Sequence, residues 1–362
     1  MKSRIIGYDL ARAFAIFGMV VVNFKIVMGA ERNGPPSLVY LVGMLDGRAA
    51  ATFVVLAGIG ISLLSQKART SAEPLALAEI RNKLLKRALF LFFGGLLYTP
   101  IWPADILHFY GVYLAVAAFL LTSSPGKLWA LIGLLGGGFA WMFFAFNYEQ
   151  EWNWKTLEYA GFWSTKGLIR NLFYNGFHPV IPWLAFLLLG MVIGRLDMNQ
   201  SSIRRRVFLT GLAVAVAAET ISGLLIHTLS IGETVAGEDA IAAILGTAPM
   251  PPMPLYLLAG AGTACAVIAA SVSVGKRFEK AIWMRPLVAT GQLALTLYVA
   301  HVVVGISVLG AMGRLENQTL PFSLLASAVF FIVSVLFAHL WRSRFARGPV
   351  EMLMRSMTER MK

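Results

Sequence analysis

Apolar residues run in long blocks along this chain, separated by short basic or Gly/Pro-containing stretches. The blocks fall at roughly 5–29, 38–65, 87–103, 104–122, 127–147, 177–195, 207–229, 251–274, 286–312 and 320–341, each near or above the ~20 residues with which a helix crosses hydrocarbon. The pattern predicts an all-α polytopic membrane protein of about ten transmembrane helices. Asp46 and Arg48 interrupt the second block, so its helix either runs through them or begins only after them.

Two segments fit membrane surfaces better than membrane interiors. The stretch "NYEQEWNWKTLEYAGFWSTKGLIRN" mixes Trp152, Trp154, Tyr159, Phe162 and Trp163 with charges, which predicts an external interfacial helix in the aromatic belt. In the tail, Pro349 suits a helix start, with Val350, Leu353, Met354, Met357 and Met361 on one face and Glu351 and Arg355 on the other. That predicts a C-terminal amphipathic helix on the cytoplasmic leaflet. With no repeat and no long linker, the expected organisation is one transmembrane helical domain over 1–341 and a cytoplasmic tail over 342–362.

Composition agrees: 58% of the 362 residues are hydrophobic, only 14% are charged, and the mean hydropathy is +0.71, too apolar for one soluble core. The net charge of +13 does not imply nucleic acid as a partner, because the basic residues cluster between apolar blocks, where they orient helices. With both termini cytoplasmic, most of the 31 Lys and Arg residues fall inside; only Lys25, Arg32, Arg48, Lys155, Lys166, Arg170 and Arg314 fall outside. The N-terminus mimics a signal peptide, yet Asp9, Arg12, Asn23 and Lys25 interrupt it, so it reads as a retained first helix. The single cysteine, Cys265, can form no intrachain disulfide.

Ionisable groups at membrane depth are costly and default to functional candidates. In "IWPADILHFYGVY", Asp105 and His108 lie one turn apart, at i,i+3, on one helix face. At ~1.5 Å per residue, His108 sits roughly 6–8 Å below the outer surface, and His301 about 24 Å from the inner edge of a core ~30 Å thick. Asn23 reaches the same outer layer, and His178 opens its span there. Two imidazoles, a carboxylate and an amide there could build an acid/base site. Plainer readings stand beside it: Asp105 as a helix cap, and His301 beside Tyr298 as an interhelical hydrogen-bond partner. His178 precedes a proline at a helix entry and reads as structural; His227 and His339 read as interfacial. Glu219 falls near midplane, either protonated or paired. No His-x-x-x-His or His-Glu-x-x-His spacing occurs, so no metal site is expected.

The opening "RIIGYDLARAFAIFGMVVVN" resembles YeiB-type bacterial inner-membrane proteins through Arg4, Ile5, Asp9, Arg12 and Asn23. The "DIL" of 105–107, "GQLALTLYVAH" and "RFARGPVEMLMRSMT", with Gly348, Pro349, Glu351 and Arg355, are similar to further motifs of that family. Tyr8, Ala13, Ala104 and Gln292 depart from its pattern. The family is in turn similar to heparan-α-glucosaminide N-acetyltransferase, a membrane enzyme that carries an acetyl group from cytosolic acetyl-CoA to an amino sugar. The resemblance implies a transmembrane acyltransferase of the bacterial inner membrane. In that enzyme the proposed catalytic His follows the first span; "GAERNGPPS" has none, so the role passes to His108 or His301.

On this expectation an acyl-CoA, such as acetyl-CoA, is the co-substrate, its phosphates held by Arg81, Lys83, Lys86 and Arg87. His108 or His301 acts as base, Asp105 orients the imidazole, and Asn23 donates to the oxyanion. The acceptor could be an envelope sugar, a lipid headgroup or an amine, and homo-oligomerisation stays open. The rival reading is a proton-coupled secondary transporter with Asp105, His108, Glu219 and His301 as the relay.

Overall fold

The computed structural model describes residues 4–71, 74–154 and 156–360; Lys155 and Met361, invoked above, lie outside them. In chain order the elements are α1 (Ile6–Val27), α2 (Pro36–Gly43), α3 (Arg48–Ser71), α4 (Pro74–Tyr98), α5 (Leu107–Phe119), α6 (Pro125–Ala145), β1 (Trp152–Asn153), β2 (Glu158–Tyr159), α7 (Thr165–Arg170), α8 (Val180–Ile193), α9 (Ser201–Leu229), α10 (Val235–Leu245), α11 (Pro254–Arg277), α12 (Met284–Gln292), α13 (Ala294–Ala300), α14 (Ser307–Ala311), α15 (Leu320–Arg344) and α16 (Pro349–Arg360). Wider π-type turns continue α7 over Asn171–Asn175 and join α13 to α14 over His301–Ile306.

The chain is an all-α polytopic membrane protein. Seven helices among the described residues are long and apolar enough to cross a membrane, or eight if the pair Thr165–Asn175 and Val180–Ile193, bent by 49°, forms one span. Large apolar side chains such as Leu134, Trp141 and Phe144 of α6 and Leu325, Ile332 and Leu336 of α15 are exposed, as lipid-facing residues are and residues in water rarely are. The blocks expected at 87–103 and 104–122 are the apolar half of α4 and the 13-residue α5, neither of which is among those seven. In the second block a short α2 is followed by α3, which begins at Arg48.

Several helix starts carry the side-chain acceptors that the exposed first-turn N–H groups need. Ser124, Ser164, Thr234 and Thr319 accept from Lys127, Gly167, Gly237 and Phe322.

Two compact units are distinguished. The first comprises Met1–Leu56, Met198–Leu212 and Thr263–Ser356; the second comprises Ala57–Asp197, Ala213–Gly262 and Met357–Lys362. In the first, α1 packs on α12 and α15. Buried Asp9 accepts from Arg4 at 2.8 and 2.9 Å and from Arg12 at 2.7 Å, and Gln292 reaches it at 3.4 Å, so one carboxylate ties the start of α1 to the end of α12. Lys25, 4% exposed, donates to Asp46 at 2.7 Å. In the second unit α4 packs along α5, and α8 packs on both α5 and α6.

Two expectations change. The segment expected to be an external interfacial helix is not one helix: β1 and β2 pair antiparallel, and helix begins only at Thr165. The left-handed backbone at Glu151, Leu157 and Gly161 breaks helical continuity. The aromatic residues lock together instead, with Trp152 stacked on Trp154 at 4.8 Å and Tyr159 donating to Asn175 at 2.9 Å. In the tail, Glu351 does not face away from the protein. It accepts from the backbone N–H of Leu295 (2.9 Å) and Thr296 (3.1 Å) and from the Thr296 hydroxyl (2.5 Å), capping α13.

Glu351→Ala would leave those donors open, at a cost of about 2–3 kcal/mol. The expected readout is faster hydrogen exchange at the Leu295 and Thr296 amides, with Glu351→Gln, which keeps one acceptor, falling between the variant and the native chain.

Candidate active site

Within the second unit, α4 and α5 form a hairpin whose close approach depends on Gly95. A methyl group there would meet the His108 backbone and lie 2.8 Å from the Asp105 carboxylate. The absent side chain is therefore what allows Asp105 and His108 to be seated against α4.

Both residues are buried, at 0% and 1% exposure. One oxygen of Asp105, Oδ2, accepts from the backbone N–H groups of Leu107 (2.9 Å) and His108 (3.2 Å) and faces His108 Nδ1 at 3.1 Å. Asp105 is thus both the helix cap and the partner of the imidazole, the two roles that the sequence left open. A carboxylate opposite Nδ1 assigns the ring proton to that nitrogen, leaving the Nε2 lone pair available. His108 Nε2 is buried and has no hydrogen-bond partner.

The imidazole is enclosed by rings: Phe109 at 4.0 Å and Phe162, edge-on, at 6.0 Å. On the other side of Phe109, at 6.0 Å, lies His178, an electrostatic neighbour of His108. Tyr113 donates to the His178 carbonyl at 2.5 Å, while His178 Nδ1 is a second buried nitrogen without a partner. His178 is the residue that sequence reasoning set aside. Its position before Pro179 marks a helix entry in the outer layer that His108 shares, without setting the two rings side by side.

In the first unit the other candidate pair closes on itself. Asn23 and His301 meet at 2.8 Å through Nδ2 and Nε2, and His301 Nδ1 contacts the Tyr298 carbonyl. A carbonyl only accepts, so Nδ1 carries the proton and Nε2 accepts from the Asn23 amide. Both ring nitrogens are engaged, and the Asn23 amide points at an imidazole.

The basic residues of α4 divide. Lys83, Lys86 and Arg87 fall within one ~100° arc of the helix; Arg81 lies off it, its guanidinium 5.5 Å from the Phe119 ring centroid. Glu219 accepts from the Thr247 hydroxyl at 3.1 Å. No group of three or more His, Cys, Asp or Glu suited to a metal occurs among the described residues.

A family model described as heparan-alpha-glucosaminide N-acetyltransferase, catalytic, matches residues 4–231, more than half of the chain. The chain belongs to this family. The heparan-alpha-glucosaminide N-acetyltransferase match takes in α1 to α9 and with them Asn23, Asp105, His108 and His178. His301 lies in residues 193–361, which match a second model, described as a protein of unknown function (DUF418). No curated protein matches the chain.

Gly95→Ala should force α4 from α5 and displace the dyad, at a cost of about 1–3 kcal/mol. A lowered unfolding midpoint in detergent, together with altered nitrogen chemical shifts of the His108 ring, would show this; an unchanged His108 environment would count against the packing described.

Proposed function

We propose that this chain is a transmembrane acyltransferase of a bacterial inner membrane. It moves an acyl group, acetyl in the simplest case, from cytosolic acyl-CoA to an amine or hydroxyl at the outer side. The observation that carries the reading is the buried Asp105–His108 dyad with its unpartnered Nε2, in a chain of the heparan-alpha-glucosaminide N-acetyltransferase family.

His108 is the base of choice because its Nε2 is open, whereas His301 Nε2 is occupied by Asn23. In the reaction, His108 Nε2 removes the proton from the acceptor nitrogen or oxygen as that atom attacks the thioester carbonyl. The C–S bond then breaks and the proton passes to the departing thiolate. Asp105 holds the ring and stabilises the imidazolium formed between these steps. Phe109 and Phe162 exclude water from the ring, which favours transfer over hydrolysis. His178 becomes the nearest second group able to exchange a proton or polarise the carbonyl. Lys83, Lys86 and Arg87 supply positive charge for the donor's phosphates.

A proton-coupled transporter is the second reading, favoured by the 49° bend between the Thr165–Asn175 and Val180–Ile193 helices, since discontinuous helices line transport sites.

The purified protein should bind acetyl-CoA and release CoA thiol slowly in the absence of acceptor. His108→Ala should reduce that release by about 10²–10⁴-fold. Asp105→Asn, which keeps a cap oxygen, should slow it strongly while the unfolding midpoint moves little. Release unaffected by His108→Ala would sink the base assignment. No release at all, with solute uptake by proteoliposomes driven by a pH gradient, would establish the transporter.

A further inference from the structure

At one end of the second unit, three side chains hold buried polar atoms with nothing to bond. α3 and α8 run side by side at backbone contact: Gly58 faces Leu187, Gly190 and Met191, and Gly194 faces Ile59 and Ser62, its absent Cβ falling 2.7 Å from the Ser62 Cβ. That register sets Ser62 against Gly194, one residue before Arg195. Seven residues on from Ser62, two helical turns along the same face of α3, comes Arg69.

Ser62 is 1% exposed and its hydroxyl has no partner. Arg69 Nη1 and Arg195 Nε and Nη2 are likewise buried and unpartnered. Arg69 is an electrostatic neighbour of Arg195. Among the described residues no carboxylate forms an ion pair with either. An arginine near a helix C-terminus commonly donates to the last carbonyls, but these nitrogens do not. Both side chains are partly exposed, so an anion can reach them, and like charges near each other with shielded, unpaired donors are stabilised by an anion between them. The guanidinium fork matches phosphate oxygens, and a serine hydroxyl adds a third donor.

We propose that Ser62, Arg69 and Arg195 form a binding site for a phosphate-bearing anion, reached from the end of α3 and α8 that the basic-residue bias assigns to the cytoplasm. The same chemistry is presented by a soluble phosphorylated ligand, an acyl-CoA included, and by a phospholipid headgroup. The site stands apart from the His108 dyad and does not depend on acyl transfer.

The test uses the full-length chain in phosphate-free detergent, with thermal unfolding followed during separate titrations with pyrophosphate, with acetyl-CoA, and with micelles containing short-chain phosphatidic acid. At least one titration should raise the midpoint saturably. The dissociation constant should weaken tenfold or more in Arg69→Gln and Arg195→Gln and several-fold in Ser62→Ala, with Arg195→Lys between. A response to pyrophosphate or acetyl-CoA identifies a soluble ligand; a response to phosphatidic acid alone identifies a lipid headgroup. Without ligand, Arg69→Gln should unfold no earlier than the native chain, because it relieves a repulsion. Absence of stabilisation by all three probes, stabilisation undiminished in both arginine variants, or an unliganded Arg69→Gln that unfolds earlier overturns the proposal. Loss of thioester hydrolysis with phosphate binding retained would defeat the acyltransferase reading and leave this site standing.

Discussion

Within hydrocarbon every backbone N–H and C=O must find its partner inside the protein, and this constraint governs each place where the chain breaks a helix. The breaks are closed by polar or charged side chains. Asp105 takes the first N–H groups of α5, and Glu351 takes those of α13 from a helix more than fifty residues away. Arg48 donates to the Met44 carbonyl between α2 and α3, and the Asn175 amide donates to the carbonyls of Tyr148 and Gln150. Charges that look expensive in an apolar sequence are what permit helices shorter than the membrane.

The same constraint creates the chemistry. A carboxylate needed to cap α5 sits, by helical geometry, one turn from the side chain at position 108, so an imidazole there is oriented without an additional residue. Asn23 and His301 satisfy the constraint the other way, each using the other and leaving no lone pair over. The difference between an open and a closed imidazole is what separates a candidate base from a structural contact, and it follows from which partners meet each ring nitrogen.

Much of this was legible beforehand for stated reasons. Hydrophobic blocks longer than a soluble strand or helix require membrane helices, and an i,i+3 Asp/His pair must share a face. Asn23 and His301, nearly 280 residues apart in sequence, were placed in one layer by counting helical rise, and they touch. The pairing of β1 with β2 was hidden because its order comes from ring stacking and from Asn175 rather than from periodicity. Glu351 was assigned correctly to a polar face, but periodicity does not say whether that face meets water or the start of another helix. Arg69 and Arg195 counted only as topology signals, since nothing in sequence reveals that their nitrogens are shielded.

The capping bonds and the dyad are also energetically linked. In the proposed reaction a positive charge on His108, among Phe109 and Phe162, would have little solvent to stabilise it and would rest on the facing carboxylate of Asp105. The N–H groups of Leu107 and His108, at the positive end of the α5 backbone, bind that carboxylate. The helix start therefore holds the carboxylate in place, and the carboxylate would stabilise the imidazolium of the proposed reaction. A change that unwinds the first turn of α5 would disorder the proposed base even with Asp105 and His108 both present.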